Sequence, residues 1–324
     1  MLLAFGLLYY VLHKKMINFQ ELKRLFSSDG LGMLFLALAT ITLQLFICAQ
    51  RLRLLLAAQN IRISYRNMLR LTYLGAFFDA FLVTSVGGDA VKAVYLARET
   101  QHGHRTMTVS TLLLDRLMGL LGLLSLTVFA ALWNFRVMWE QSYFFPHDFF
   151  LALILVTGAF FAGTALLSSR RLYKWGPMQW LIHKLPFGGT VNKAYGSLQG
   201  FRDRLGAVVV AWALSLLVQL AGLIGGYWLA LGLGMHPEII PFCAAWLIAN
   251  FICSFSPFMG IGFGQFMYDQ MFYLVAGLSN VGGTLATALQ LASIIIKFPG
   301  LFCWLVTREN DKPPSATLDG KNEP

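Results

Sequence analysis

TSVGGDAVK at residues 84–92 and FSPFMGIGFGQF at residues 255–266 are glycine-marked breaks inside otherwise hydrophobic stretches. Irregular backbone survives at membrane depth only where it is buried in protein or lines a polar cavity, so each break marks a candidate substrate or ion site. The surrounding chain fixes the solvent. Of its 324 residues 57% are hydrophobic and 12% charged, and the mean hydropathy is +0.64, a composition that a soluble domain does not have. Apolar stretches at 31–49, 109–132, 149–167, 207–233 and 285–306 reach or approach the roughly 20 residues of a spanning helix. Interrupted stretches at 71–86, 240–256 and 266–278 complete the set. The expected fold is an all-α, polytopic membrane bundle of about eight segments with two broken or re-entrant elements. Residues 1–306 form one transmembrane domain with its breaks near 71–98 and 240–278, and 307–324 a disordered cytoplasmic tail. The opening MLLAFGLLYYVL, too short to span and without a basic n-region or cleavage site, reads as a short or clipped first helix.

Charge orients the bundle. Arg51, Arg53, Arg62, Arg66 and Arg70 occupy 50–70 without an acidic residue, and Lys92, Arg98 and Arg105 mark 87–108 as basic too. Both belong on the cytoplasmic side, so 71–86 between them should enter and leave by one face. The stretch 168–206, with Arg170, Arg171, Lys174, Lys184, Lys193, Arg202 and Arg204 against Asp203, is the strongest cytoplasmic signal. By this count the second break faces the cytoplasm or dips in as a hairpin. Residues 14–30 fall outside despite Lys14, Lys15, Lys23 and Arg24, and MINFQELKRLF within them reads as an interfacial amphipathic helix. Each break is preceded by a Phe-rich half (DAFLV, ICSFSPF) and followed by a second half-helix (AVYLA, MYDQMF), the trace that an internal, inverted repeat leaves. Two unrelated packing kinks are the alternative.

The formal charge of +10 sits in short loops, where it sets topology and favours anionic headgroups; nucleic acid is not an expected partner. Cys48, Cys243, Cys253 and Cys303 lie in apolar segments without C-x-x-C spacing, and read as small apolar helix residues. The histidines show no metal spacing, and neither a phosphate-cradling G-x-x-x-x-G-K-[ST] nor a G-x-S-x-G elbow occurs, so no cofactor or metal is expected.

Ionisable residues within spans are expensive and so become the first candidates: Asp79, Asp89, Asp115, Arg116, Asp269 and Lys297. Asp115 and Arg116 either serve a site or pair across helices and lock the bundle. Asp89 either caps the half-helix that follows it or belongs to a lipid-phosphate site. In that site Gly87 and Gly88 offer backbone donors, and Lys92 and Arg98 offer countercharge. Lys297, deep in an apolar span, needs an anionic partner, and Asp269 is the nearest in sequence. Small residues at 222–226 (GLIGG) and 282–286 (GGTLA) allow close helix contact within or between chains.

The chain resembles the lysylphosphatidylglycerol synthase transmembrane-domain family of flippase-like membrane proteins. The resemblance rests on TSVGGDAVKAVYLAR at 84–98, LLLDRLMG at 112–119, FSPFMGIGFGQF at 255–266 and FPGLF at 298–302. Gly87, Gly88 and Asp89 match the family's first motif, with Lys92 where an arginine is usual, and Asp115 and Arg116 match its DR pair. Pro257, Gly260, Gly262 and Gly264 follow the second motif, with Gln265 near the place of an acidic residue. The resemblance implies a lipid translocase of the cell inner membrane whose partners are an anionic phospholipid or a polyprenyl-linked lipid. A homo-oligomer or association with lipid-biosynthesis enzymes is also open. The soluble aminoacyl-transferase domain of the synthases has no counterpart up to residue 324, so synthesis of lysyl-lipid by this chain is not expected. Two other readings stand beside transport: a membrane-embedded glycosyl or lipid-modifying transferase with Asp89 or Asp115 as base, and a non-catalytic scaffold.

Overall fold

A computed structural model describes residues 17–81, 87–99, 105–133, 204–254, 262–278 and 281–310, with Leu155 and Gly158 alone in the long interval. Every regular element among the described residues is a helix: α1 (Phe19–Arg24), α2 (Ser28–Ala58), α3 (Tyr65–Phe81), α4 (Gly87–Glu99), α5 (Arg105–Trp133), α6 (Leu205–Gly232), α7 (Ile239–Cys253), α8 (Phe263–Ala276), α9 (Gly282–Lys297) and α10 (Pro299–Asn310). Four stretches among them are long and apolar enough to cross a bilayer, namely Ser28–Ala58, Met107–Trp133, Leu205–Gly232 and Gly282–Val306. The chain is therefore an all-α polytopic membrane bundle. The span expected at 149–167, the basic stretch 168–203, the opening segment and the tail beyond 310 lie outside the described residues.

Three boundaries differ from the sequence reading, each for a local reason. The first span runs to Ala58 rather than 49, because Arg51 is not a loop charge: its guanidinium is neutralised inside the bundle by Asp115. The helix stops at Asn60, whose φ of +64° is the left-handed turn a short polar side chain tolerates. The single span expected at 285–306 is two helices, since Pro299 has no N–H to continue the ladder and instead opens α10. The expected interfacial helix at 16–26 is α1, capped by the Asn18 side chain, which accepts from the N–H groups of Gln20 and Glu21.

Among the described helices the largest interface joins α2 to α6, and it is antiparallel. Arg51 meets Ser215, Gln44 Nε2 donates to the Val218 carbonyl at 2.8 Å, Ile41 lies on Gly225, and Met33 and Leu25 lie on Gly232. The GLIGG run thus supplies the close approach to α2, and Gly226 leaves room for the Trp246 ring. The other small-residue run is used likewise: Gly282 sits against the Tyr268 backbone. Both runs are occupied by contacts within the chain.

Each glycine break leads into the second helix of an antiparallel pair. In the first, Gly75 of α3 lies on Lys92 of α4 while Gly88 lies on Asp79, so the numbers run in opposite directions. In the second, the Phe242–Phe272 and Trp246–Tyr268 rings, each pair edge-to-face at 5.3 Å, bind α7 to α8 in the same sense. Residues 82–86 and 255–261 are outside the described residues. Because α2 and α6 are antiparallel, the two hairpins enter the bundle from opposite faces. The first comes from the face that carries Arg53, Arg62, Arg66, Arg98, Arg105 and Arg204. The second comes from the face where α1, His236 and Gly277 lie, and where Asn18 N–H donates to Thr284 Oγ1 at 2.9 Å.

Candidate functional site

At the tip of the first hairpin three helices place four charges together. Gly88 N–H donates to Asp79 Oδ1 at 2.9 Å, which fixes the start of α4 against the end of α3. Asp89, one residue on, accepts from Arg116 Nε of α5. The Arg116 Nη2 lies 3.8 Å from Asp79 Oδ2, and Lys92 Nζ lies 3.8 Å from Asp89 Oδ1. The aliphatic part of Lys92 crosses Gly75, where a methyl group would come within 2.8 Å of its Cε. Arg116 is the open member, its side chain 52% exposed against 14–23% for the other three.

At the tip of the second hairpin the same construction recurs without charge. Gly262, at φ +75°, donates its N–H to Gln265 Oε1 at 2.7 Å, and Gln265 Nε2 donates to Gln290 Oε1 of α9 at 2.8 Å. A side chain in the first turn of the returning half-helix thus bridges to the next long helix in both halves. In the first half the bridge is Asp89 to Arg116, and in the second it is Gln265 to Gln290.

A cavity of about 250 Å³ lies where α3, α7, α8 and α9 come together. Ala80 lines it from the first hairpin, Asn250 and Gln265 from the second, and Gln290, Ser293 and Lys297 from α9. The charged side chains acting on Lys297 are Asp79 and Arg116 of the first tip, and among the described residues no carboxylate lies within salt-bridge distance of it. The charged cluster lies beside the cavity and acts on Lys297 through Asp79 and Arg116, but none of its four side chains lines the cavity.

The sequence candidates divide accordingly. Gly88, Asp89, Lys92 and Arg116 converge, with Gly87 opening the same helix; Gln265 and Lys297 line the cavity, and Gly262 is held by Gln265. Asp115 leaves the site: both its oxygens accept from Arg51, at 2.7 and 2.9 Å, and Arg51 also donates to Ser215 Oγ at 2.9 Å. Of the two readings for the pair, Asp115 takes the bundle-locking one and Arg116 goes to the cluster. The Gly88 N–H expected to face a phosphate is used by Asp79. Asp269 is not the partner of Lys297. It accepts from Gly283 N–H at the start of α9, and Lys297 is at that helix's other end, about 20 Å away along its axis. Arg98 is about 13 Å along α4 from Asp89, its guanidinium 5.5 Å from the Tyr95 ring centroid. Pro257 and Gly260 lie outside the described residues. Asn250, Gln290 and Ser293 were missed; a polar side chain inside an otherwise apolar span was the available signal.

The family model for the lysylphosphatidylglycerol synthase TM region matches residues 1–299, nearly the whole chain and every residue of the site. The chain belongs to that family. No curated protein and no solved structure matches it. Membership in the lysylphosphatidylglycerol synthase TM family gives the chain a membrane, lipid-related role, in keeping with its four long apolar stretches.

Proposed function

We propose that this chain is a lipid translocase of the cell inner membrane, moving an anionic phospholipid or a lipid-linked intermediate between leaflets. One observation carries the reading: the helix pairs α3–α4 and α7–α8 enter from opposite faces, and where they approach lies a cavity lined by Lys297 and the amides of Asn250, Gln265 and Gln290, with a charged cluster beside it. Charges are placed inside a span at high cost, and broken helices at a midplane cavity are how many transporters hold a polar group in transit. The cluster gives the anionic headgroup a binding place, with Arg116 as its exposed cation and Lys92 and Lys297 behind it. The acyl or prenyl chains stay in the bilayer. The basic face is cytoplasmic by its arginine excess, so the first hairpin opens to the cytoplasmic leaflet and the second to the other. The preferred partners are membrane lipids, and any homo-oligomer or enzyme partner is secondary to this site.

The test is reconstitution into vesicles carrying labelled lipids of several headgroups. Transbilayer movement faster than in protein-free vesicles, and lost in Asp89→Asn and Arg116→Gln, is the expected result. No acceleration for any headgroup would remove the proposal.

A further inference from the structure

The cavity between the hairpin tips has an uneven chemistry that speaks to the headgroup. Lys297 is the one charged residue of the lining, and beside it stand Asp79, Asp89, Lys92 and Arg116; the five together set two carboxylates against three cations, an excess of one positive charge. Elsewhere the polar part of the lining is amide and hydroxyl, Asn250, Gln265, Gln290 and Ser293, set among Cys253, Ala286, Leu289 and Ile294. Tyr268, only 4% exposed, also borders the cavity, and its hydroxyl faces Asn250 without a hydrogen bond of ordinary geometry. Residues 82–86 and 255–261 contain no ionisable residue in the sequence.

Resting on the lipid-translocase reading, we infer that the cavity takes a monoanionic phosphodiester headgroup bearing free hydroxyls, a polyol or a sugar, and excludes a cationic aminoacyl headgroup. The phosphodiester carries the single negative charge that the excess of one cation matches, and Lys297 is the group placed to meet it. Gln290, Ser293, Asn250 and the Tyr268 hydroxyl offer both donors and acceptors, which is what a hydroxyl requires. A site built to hydrogen-bond hydroxyls rejects an analogue that lacks them, because its own buried polar groups are then left unpaired. An ammonium in the same space would meet Lys297 with no carboxylate on the amide side to compensate it. The volume of about 250 Å³ is below the roughly 300–1,000 Å³ of a site that swallows a whole drug-sized ligand, so it fits a headgroup whose tails remain outside. The neutral Gln265–Gln290 bridge, standing where the first half has Asp89–Arg116, makes this selectivity a property of one half of the molecule.

The experiment is native mass spectrometry of the full chain in mild detergent, with each lipid supplied at equal concentration. The probes are phosphatidylglycerol, a polyprenyl hexosyl phosphodiester, phosphatidylmethanol, lysylphosphatidylglycerol and soluble glycerol 3-phosphate. The hydroxyl-bearing phosphodiester lipids should be retained at least tenfold over lysylphosphatidylglycerol. Lys297→Gln should lower that retention about tenfold while Lys297→Arg keeps it. Gln290→Leu should erase the preference over phosphatidylmethanol, which has the same charge and no hydroxyl. Equal or tighter retention of lysylphosphatidylglycerol, or phosphatidylmethanol held as well as the hydroxyl-bearing lipids by the wild type, overturns the inference. Competition by glycerol 3-phosphate at the concentration of the lipids would keep the phosphate-polyol chemistry but assign it to a soluble ligand, and so overturn the lipid reading instead. A chain that retains these lipids yet moves none across vesicles loses the translocase function alone.

Discussion

Arg51 and Asp115 are the most committed charges among the described residues. Their side chains are 6% and 13% exposed, both carboxylate oxygens are engaged, and Ser215 takes a third guanidinium donor, so helices α2, α5 and α6 are tied at one point. Removing one member leaves an uncompensated buried charge, which costs about 3–5 kcal/mol, whereas replacing both by apolar groups is often close to neutral. Arg51→Leu and Asp115→Leu should each therefore lower the thermal unfolding midpoint in detergent sharply, and the double variant should recover most of the loss. If the double variant is as unstable as the two single losses added together, the pair is not the lock described. The same geometry argues against Asp115 as a catalytic base, since both its carboxylate oxygens are already taken by donors of Arg51. At this scale the sequence is legible where the cost of a buried charge is the signal: it marked Asp89, Asp115, Arg116 and Lys297. It misassigned partners, because pairing is decided by which helices touch. Arg51 read as a loop charge since arginine is usual at a span's end, and Asp269 read as Lys297's partner since nearness in sequence was the only nearness available.

The two hairpins were legible as elements because glycine announces them, but their internal register was not. Gly88 is the clearest case, since a methyl group there would meet the Gly75 carbonyl and the Asp79 carboxylate. Gly75 is intermediate, its nearest obstacle at 2.8 Å being the flexible end of Lys92, and Gly32 in α2 faces open space. A graded series follows. Gly32→Ala should be neutral or slightly stabilising, as alanine favours the helix by up to about 1 kcal/mol. Gly75→Ala should cost less than Gly88→Ala, for which backbone obstruction puts the loss at about 1–3 kcal/mol. The readout is the unfolding midpoint of each variant, with the monodisperse fraction on a sizing column as a check on folding; a series without this order would mean the hairpin is packed differently. The expectation that Gly88 presents its N–H outward failed for the same reason: a half-helix start inside a bundle is capped by the nearest acceptor, and Asp79 on the opposing helix was in place.

For the molecule as a whole, helix, hairpin, helix occurs twice, as α2, α3–α4, α5 and as α6, α7–α8, α9. The antiparallel packing of α2 on α6 sets the second unit upside down relative to the first, the arrangement that lets one repeat rock against the other around a fixed site. The sequence suggested the repeat by the order of its breaks but could not orient it, since orientation follows from which faces of α2 and α6 meet. The inversion makes a demand that labelling can meet. Asn60, exposed in the turn before the first hairpin, and His236, exposed in the turn before the second, must lie on opposite sides of the membrane. With Cys48, Cys243, Cys253 and Cys303 replaced by serine or alanine, a membrane-impermeant maleimide should modify His236→Cys in intact cells and Asn60→Cys only in inverted vesicles. The reverse pattern would keep the inversion and turn the whole bundle over, so that the first hairpin, with its charged tip, opened away from the cytoplasm. Both sites reacting from one side would end the inverted repeat itself, and with it the argument that the charged and the amide halves of the cavity are approached from different leaflets.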